Sequence, residues 1–218
     1  GAAGALVSLV IGVTWGAIAG YRGGRWDAFL MRTVDILYAL PSVVLILILM
    51  ALAQAPAKQA LATAFGPAAE PWAPVLLLIL GLGSISWLTM ARIVRGQVLS
   101  LVHQPFVEAS RALGASPLRI LGRHILPNTL GTILVQLLLT LPAVMLGESF
   151  LSYLGLGVQP PQASLGTLIA DGATQINPLR TYWWLLLAPA GALALLLLAL
   201  SLAGDGIRDA LDPRTASR

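Results

Sequence analysis

The sequence has little of what a water-soluble enzyme needs. It contains no cysteine, a single lysine, two histidines, and only 10% charged residues in 218, against about 25% in an ordinary soluble domain. Without cysteine there are no disulfides and no thiolate chemistry. His103 and His124 lie far apart without a companion cysteine, which excludes a clustered zinc site. We therefore expect no metal or cofactor in this chain and no catalytic residues.

The lone lysine excludes another class of protein. A nucleotide-binding loop of the Walker type needs Gly-Lys followed by Ser or Thr, whereas Lys58 stands between Ala57 and Gln59. The chain cannot bind ATP by such a loop. If it takes part in an energy-driven process, we expect the energy to come from another subunit.

What the sequence has in abundance is apolar residues, at 57% of the chain and a mean hydropathy of +0.85. A helix needs about 20 apolar residues to span a bilayer. Only helices or closed barrels satisfy their backbone groups in hydrocarbon, and the apolar runs do not alternate with period two. We therefore predict an all-α, polytopic membrane protein. Five uncharged runs define its spans, at about 2–20, 36–55, 72–90, 128–147 and 183–204.

The basic residues predict the orientation of these spans. Eleven of the thirteen lie in segments 21–35 and 91–127 or after residue 204, and the alternate loops hold only Lys58 and Arg180. By the positive-inside rule the first set is cytoplasmic, and so is the C-terminus. Residue 1 is then outside, and we expect one further span upstream. The net charge of +4 reflects this topology and does not indicate a nucleic-acid partner.

Two features concern the outer half and the packing of the helices. Segment 55–71 contains Pro56, Gly66, Pro67 and Pro71 and predicts an irregular external loop. In the first span, glycines recur at four-residue spacing and form a strip that lets another helix approach closely. The strip fits internal packing or a subunit interface; its members are Gly12, Gly16 and Gly20.

The longest cytoplasmic segment, 91–127, carries the most specific pattern. Residues 106–113 favour a helix, Gly114 permits a sharp break, and Ser116 with Pro117 is typical of the start of a second helix. We predict this helix over 117–124, followed by a turn at Pro127 into the fourth span.

The predicted helix over 117–124 is amphipathic. Leu118, Leu121 and Ile125 recur on one face, and Arg119 and Arg123 occupy another. Isolated helices below about 12 residues are marginal, so we expect this one to need a supporting surface. That surface is a partner protein, or it is the chain's own helix ends and the lipid surface; the pattern alone favours neither.

The same segment resembles the EAA loop of ATP-binding cassette importer permeases. The resemblance rests on Glu108-Ala109-Ser110, Gly114 and Leu126-Pro127 at the family's spacing. Ser110 replaces the family's second alanine, and His124 stands where isoleucine is usual. Residues 123–128, including this histidine, are similar to the dipeptide, oligopeptide and nickel subfamily.

Further stretches extend the resemblance over nearly the whole chain, and they look most like the second permease of such systems. They are residues 20–24, 31–35, 40–42, 148–161 and 204–214. The resemblance implies a type I importer permease fold, with six helices in family members. It also implies one transmembrane domain over 1–218, with a coupling loop at about 91–127 and an external segment at about 148–181.

The resemblance further implies a set of partners and a location. The partners are a second permease, two cytoplasmic ATPases that bind ATP and magnesium, an extracytoplasmic substrate-binding protein and a short peptide. The location is the bacterial cytoplasmic membrane, in contact with lipid. The chain is then a transport subunit and not an enzyme. Nickel or another small ligand is the closest alternative cargo. A membrane scaffold or an ion-coupled carrier is a more distant reading. The ion-coupled carrier is disfavoured because the spans lack ionisable groups.

Two groups of residues are candidates for function. By resemblance the coupling loop includes Glu108, Ala109, Ser110 and Gly114. To these the helical pattern adds Leu118 and Leu121 as apolar anchors, with Arg119 and Arg123 as partners for acidic groups on an ATPase. On the external side we select Glu148 and Asp171, which are candidates for contact with the binding protein or with a peptide's amino group.

Overall fold

The residues that the structure describes form helices joined by short turns, together with one very short strand pair. A computed structural model describes residues 1–159, 162–177 and 180–211. Residues 160–161, 178–179 and 212–218 lie outside the described residues, and 160–161 and 212–214 among them belong to two of the resembling stretches. The strands pair antiparallel, with Ile176 opposite Thr181. In chain order the elements are α1 (Ala2–Arg22), α2 (Gly24–Ala39), α3 (Ser42–Phe65), α4 (Ala73–Leu101), α5 (Pro105–Ala112), α6 (Pro117–Ile120), α7 (Leu126–Tyr153), α8 (Leu165–Thr174), β1 (Ile176–Asn177), β2 (Arg180–Thr181) and α9 (Trp183–Leu211).

Five helical stretches of the described chain are long and apolar enough to cross a membrane, which confirms the predicted number. They are Ala2–Arg22, Ser42–Phe65, Pro67–Leu101, Pro117–Tyr153 and Trp183–Ala210. All five are longer than the uncharged runs, because the helices continue past the apolar segment into polar sequence. The runs without charged residues therefore located the spans in the sequence but did not predict the residues at which the helices end.

The predicted start of the second span, at residue 36, is wrong. Residues 36–39 belong to α2, and the new helix begins at Ser42. Leu40 is extended, with φ −85° and ψ 141°, because the ring of Pro41 disfavours the helical conformation in the preceding residue. The break makes α2 a separate helix between the first two spans.

The prediction of an irregular loop over 55–71 is also wrong. Helix α3 continues through Pro56 to Phe65, ends at Gly66 with φ 88°, and is followed by a 3₁₀ turn over Pro67–Trp72. The residues after Pro56 are rich in alanine and include one lysine, one glutamine and one leucine, all of which are good helix formers. Their propensity outweighs the one hydrogen bond that proline removes.

Helices α1 and α4 form the closest seam of the molecule, and the glycine strip lies in it. A Cβ atom on Gly12 would stand 2.5 Å from the Cβ of Met90, and one on Gly20 would stand 2.9 Å from the carbonyl oxygen of Arg95. Of the two readings of the strip, internal packing is therefore the one that the structure shows. Small residues here let the two backbones approach.

Three buried apolar clusters stabilise the helices. The cluster at the arginine-rich end joins α4 to α5, α6 and α7. The second lies at the other end of α4, against α3 and α7, and the third lies between α2 and α4. Their central members are, respectively, Val94, Val98, Val107, Ile120 and Ile125; Met50, Leu78, Val144 and Leu151; and Val34, Trp87 and Ala91. The spanning parts of α3, α7 and α9 contain few buried residues within this chain, as is usual for helices that face lipid or another subunit.

Candidate functional site

The segment between α4 and α7 forms an arm at the arginine-rich end of the molecule. Helix α5 begins at Pro105, whose missing N–H costs nothing at the first helical position. The carbonyl of Gln104 accepts hydrogen bonds from the backbone N–H groups of Val107 and Glu108, at 2.9 and 3.2 Å. The predicted helix over 106–113 is confirmed within one residue at each end.

The break after α5 is a glycine-capped reversal. Gly114 has φ +78°, which a residue with a side chain rarely adopts. Its N–H donates to the carbonyl of Arg111 at 2.9 Å, and the N–H of Ala115 donates to the carbonyl of Ser110 at 3.1 Å. These two bonds define a Schellman motif. In this motif the glycine follows Ser110 by four residues. The motif therefore gives a structural reason for the number of residues between the Glu-Ala-Ser run and Gly114.

The helix that follows the break is not an isolated two-turn helix, and in this the sequence prediction is wrong. Helix α6 continues into a π turn over Leu121–Ile125 and then directly into α7, without a turn at Pro127. Pro127 lies at the second position of α7, directly after the π turn, and does not interrupt the helix. The whole stretch Pro117–Tyr153 is 37 residues long, so its length removes the instability expected of a short helix.

The π turn also changes which face of this helix is buried. Ile120 and Ile125, five residues apart, are both buried against α4, because a π turn places residues i and i+5 on one side. Leu121 is only partly buried, and Leu118 is 86% exposed. The predicted apolar face of Leu118, Leu121 and Ile125 is therefore divided between the inside and the outside of the arm.

The arm is consequently held from within and bare at its tip. Val107, Ile120 and Ile125 anchor it in the cluster with Val94 and Val98. Leu113, which sequence reasoning missed, is 88% exposed beside the reversal. In the sequence, the only signal for Leu113 was its position next to Gly114. This signal is ambiguous, because a leucine between a helix end and a glycine can make a capping contact or lie exposed at a tip.

The other candidate residues of the arm lie around this tip. Glu108 and Ala109 are exposed on α5, and the hydroxyl of Ser110 donates to the carbonyl of Phe106 at 2.8 Å. Arg119 and Arg123 are exposed, and neither has a carboxylate within 4 Å among the described residues. The arm thus combines exposed leucines with unpaired arginines and the Glu108 carboxylate.

The two external candidates do not form one site. Glu148 lies near the end of α7, with its side chain 18% exposed. It lines a cavity of about 330 Å³ whose other walls include Gly4, Leu82, Val144 and Ser164. Asp171 is exposed on α8 and does not line this cavity.

Two ion pairs join α2 to α4, and sequence reasoning counted their arginines only as topological charge. Arg95 makes a two-pronged contact with Asp27, one prong measuring 2.6 Å from Nη2 to Oδ2. Arg92 donates to Asp35 at 2.8 Å and lies over the ring of Tyr38, 4.2 Å from its centre. The sequence did hold a signal for these ion pairs in its spacing. Asp27 and Asp35 are about two helical turns apart, and Arg92 and Arg95 are nearly one turn apart.

Comparison with known proteins gives consistent matches over this whole architecture. The family described as "Binding-protein-dependent transport system inner membrane component" matches residues 12–217. The chain is 44% identical over 215 residues to the oligopeptide transport system permease protein OppC of Bacillus subtilis, and 42% identical over 210 residues to the dipeptide transport system permease protein DppC of the same organism. It is 43% identical over 192 residues to OppC of Escherichia coli.

These alignments cover nearly all of this chain but not all of its relatives. They include 98%, 96% and 88% of the chain, and 63%, 59% and 57% of the respective relatives. A solved structure described as inward facing conformations of the MetNI methionine ABC transporter superposes with a TM-score of 0.64, covering 96% of this chain and 89% of that one. At 19% sequence identity this likeness shows a shared fold.

Proposed function

Because the chain belongs to the family of binding-protein-dependent transport system inner membrane components, we propose that it is one of two permease subunits of an ATP-driven importer of short peptides. Its relatives of 42–44% identity are permeases of oligopeptide and dipeptide transport systems. In this proposal a second permease completes the pathway, two cytoplasmic ATPases bind ATP and magnesium, and an extracytoplasmic protein delivers the peptide. The chain itself catalyses no reaction.

The observation that carries the coupling role is the bare tip of the arm. Leu113 and Leu118 are the two most exposed large apolar side chains of the described residues, at 88% and 86%. They stand on the side of the molecule where the arginines concentrate, which is the cytoplasmic side by the positive-inside rule. Exposed leucines beside unpaired Arg119 and Arg123 suit a cleft with an apolar floor and acidic walls. We assign that cleft to the ATPase.

The internal structure of the arm supplies a route for the force. Closure of the ATPase pair would push on the tip, and the buried Val107, Ile120 and Ile125 would pass the push to α4. The continuous helix over Pro117–Tyr153 extends for roughly 55 Å at 1.5 Å per residue. A displacement at the tip would therefore reach the membrane-spanning part of α7 through one continuous stretch of helix.

The orientation and location follow in the same proposal. The chain lies in the bacterial cytoplasmic membrane with its C-terminus and the arm in the cytoplasm. Glu148 and Asp171 then belong to the external half, where Glu148 borders the outer cavity. We propose that these carboxylates face the binding protein or the amino group of an arriving peptide.

The test is a transport assay on the complete importer reconstituted in vesicles, with its binding protein. The variant is Leu118→Asp, and the matched control is Leu118→Met, which keeps the volume and the apolar surface. We expect Leu118→Asp to assemble normally but to lose most peptide uptake and most stimulation of ATP hydrolysis by loaded binding protein. We expect Leu118→Met to retain both.

Three results distinguish the parts of the proposal. Normal uptake by Leu118→Asp would show that the tip does not couple transport to ATP hydrolysis. Uptake of nickel or another small ligand in place of peptides, still dependent on Leu118, would contradict the cargo and keep the coupling role. Accumulation of a solute by this chain without any ATPase would contradict the whole proposal.

A further inference from the structure

We propose that a groove at the arginine-rich end of the molecule binds an anionic phospholipid. The groove has a volume of about 530 Å³ and lies between α1, α2 and the arm. Its lining is apolar and aromatic, with Trp15 and Ile18 from α1, Trp26 and Leu30 from α2, and Leu118 and Leu121 from the arm. Neither the family match nor the coupling role assigns an occupant to it.

The groove is held open by contacts of its own walls. The indole N–H of Trp15 donates to the carbonyl of Leu30 at 3.1 Å, which ties α1 to α2 across the floor. The same ring packs edge-on against Trp87 of α4, with 5.1 Å between the ring centres. Because Trp15 is fixed on both sides, the groove is a formed feature of the fold.

Two arginines without a carboxylate partner among the described residues lie at the aromatic edge of the groove. The guanidinium carbon of Arg22 is 5.0 Å from the ring centre of Trp26, and that of Arg111 is 5.5 Å from the ring centre of Tyr21. Both rings line the groove. Neither arginine has a carboxylate within 4 Å among the described residues, whereas Arg92 and Arg95 are both paired. Unpaired guanidinium groups are well suited to a phosphate.

The depth of the groove favours a lipid over a protein occupant. Trp15 and Ile18 belong to the spanning helix α1, and Ile18 lies one turn before Arg22. Aromatic rings and arginines at a helix end mark the boundary between hydrocarbon and headgroups. Leu118, which is 86% exposed, stays with the surface assigned to the ATPase, but a water-soluble ATPase would have to enter the hydrocarbon to reach the inner part of the groove at Trp15 and Ile18. The acyl chain of a phospholipid would fill this inner part, and its phosphate would stand at the level of Arg22 and Arg111.

The first experiment counts lipids that remain bound to the detergent-solubilised complete transporter by native mass spectrometry, after exchange into phosphatidylglycerol or phosphatidylcholine. We expect selective retention of phosphatidylglycerol. A basic residue near an anionic lipid surface contributes enough to change affinity about fivefold, so Arg22→Gln and Arg111→Gln should each weaken retention by about that factor. Arg32→Gln is the matched control, because Arg32 is exposed on α2 but does not line the groove. Equal retention by all three variants, or equal retention of the two lipids, overturns the proposal.

The second experiment uses the absence of cysteine from the chain. A single cysteine at Ile18, inside the groove, is compared with one at Phe29, which is exposed on α2 outside it. Maleimide labelling of this subunit is measured in vesicles of phosphatidylcholine with and without phosphatidylglycerol. We expect phosphatidylglycerol to protect Ile18→Cys and to leave Phe29→Cys unchanged. Protection that requires the ATPase and not phosphatidylglycerol would assign the groove to the ATPase and contradict the proposal.

Discussion

The seam between α1 and α4 and the tip of the arm are built in opposite ways. In the seam, glycines bring the two backbones into contact, and added atoms would meet the carbonyl of Ala91 or the side chain of Met90. At the tip, Leu113 and Leu118 extend into open space. The seam is complete within one chain, while the tip has apolar surface that none of the described residues covers. The difference indicates that the seam supports the fold and that the tip serves a partner.

The largest expected effect is in the seam. We expect Gly16→Ala to destabilise the protein by about 3 kcal/mol, because overpacking a close contact costs 1–3 kcal/mol or more and the added Cβ would meet backbone atoms of Ala91 and Arg95. Gly96→Ala is the matched control. Gly96 lies on α4, the helix that Gly16 of α1 packs against, and open space surrounds it. It should be neutral or stabilising by up to about 1 kcal/mol.

The measurement is the thermal unfolding midpoint of the solubilised transporter, with the yield of assembled complex as a second readout. Gly16→Ala should lower both and Gly96→Ala should lower neither. Equal behaviour of the two variants would mean that the close approach of α1 and α4 is not what stabilises the seam.

The next effect tests the tip through its backbone. Gly114 has φ +78°, and a residue with a side chain costs about 1–2 kcal/mol in this region. We expect Gly114→Val to distort the reversal and reduce ATP-driven uptake severalfold. The unfolding midpoint should fall less than for Gly16→Ala, because the strain is confined to an exposed reversal outside the core. Gly122→Val is the control within the same arm, at a position without positive φ and with open space around it.

A drop in the unfolding midpoint for Gly114→Val as large as that for Gly16→Ala would remove the distinction between the two regions. The tip would then belong to the folding core, and its exposed leucines would lose their meaning as a docking surface.

The sequence was sufficient for the features that depend on composition and local chemistry. The five spans followed from uncharged runs, the helix over Pro105–Ala112 from its residue types, and the reversal from Gly114. The prediction failed where one residue changes the course of a helix. Pro41 separates two helices, while Pro56 is accommodated inside one, and only the surrounding packing and propensity decide between these outcomes.

The division of the arm into a buried and an exposed face could not be predicted for a related reason. A regular helix would place Leu118 with Leu121 and Ile125, but the π turn over Leu121–Ile125 rotates the chain and buries Ile120 instead. A π turn has no reliable sequence signal, because it depends on how the following helix packs. The docking role of the arm remains a prediction, and the leucines at its tip now give that prediction a defined surface.

A third expected effect concerns the contact between α2 and α4 beside the seam. The carboxylate of Asp27 is only 15% exposed and takes two contacts from Arg95. Replacing it by asparagine leaves the guanidinium of Arg95, whose side chain is 34% exposed, with weaker partners. We expect Asp27→Asn to cost about 1–2 kcal/mol, less than the 3–5 kcal/mol of a fully buried pair, because Arg95 retains access to water. The unfolding midpoint measures it, and a double-mutant cycle with Arg95→Gln gives the coupling. Additive effects of the two variants would show that the pair does not bind α2 to α4.

The smallest effect is expected at the second pair, which uses the same residue types in a different environment. Asp35 is 65% exposed, so water screens its 2.8 Å contact with Arg92. The arginine would also keep its position over the ring of Tyr38 after the carboxylate is lost. We therefore expect Asp35→Asn to cost less than about 1 kcal/mol and the difference from wild type to vanish in high salt. If Asp35→Asn lowered the unfolding midpoint as much as Asp27→Asn, burial would not determine the strength of these pairs. The two ion pairs would then contribute equally to holding α2 against α4.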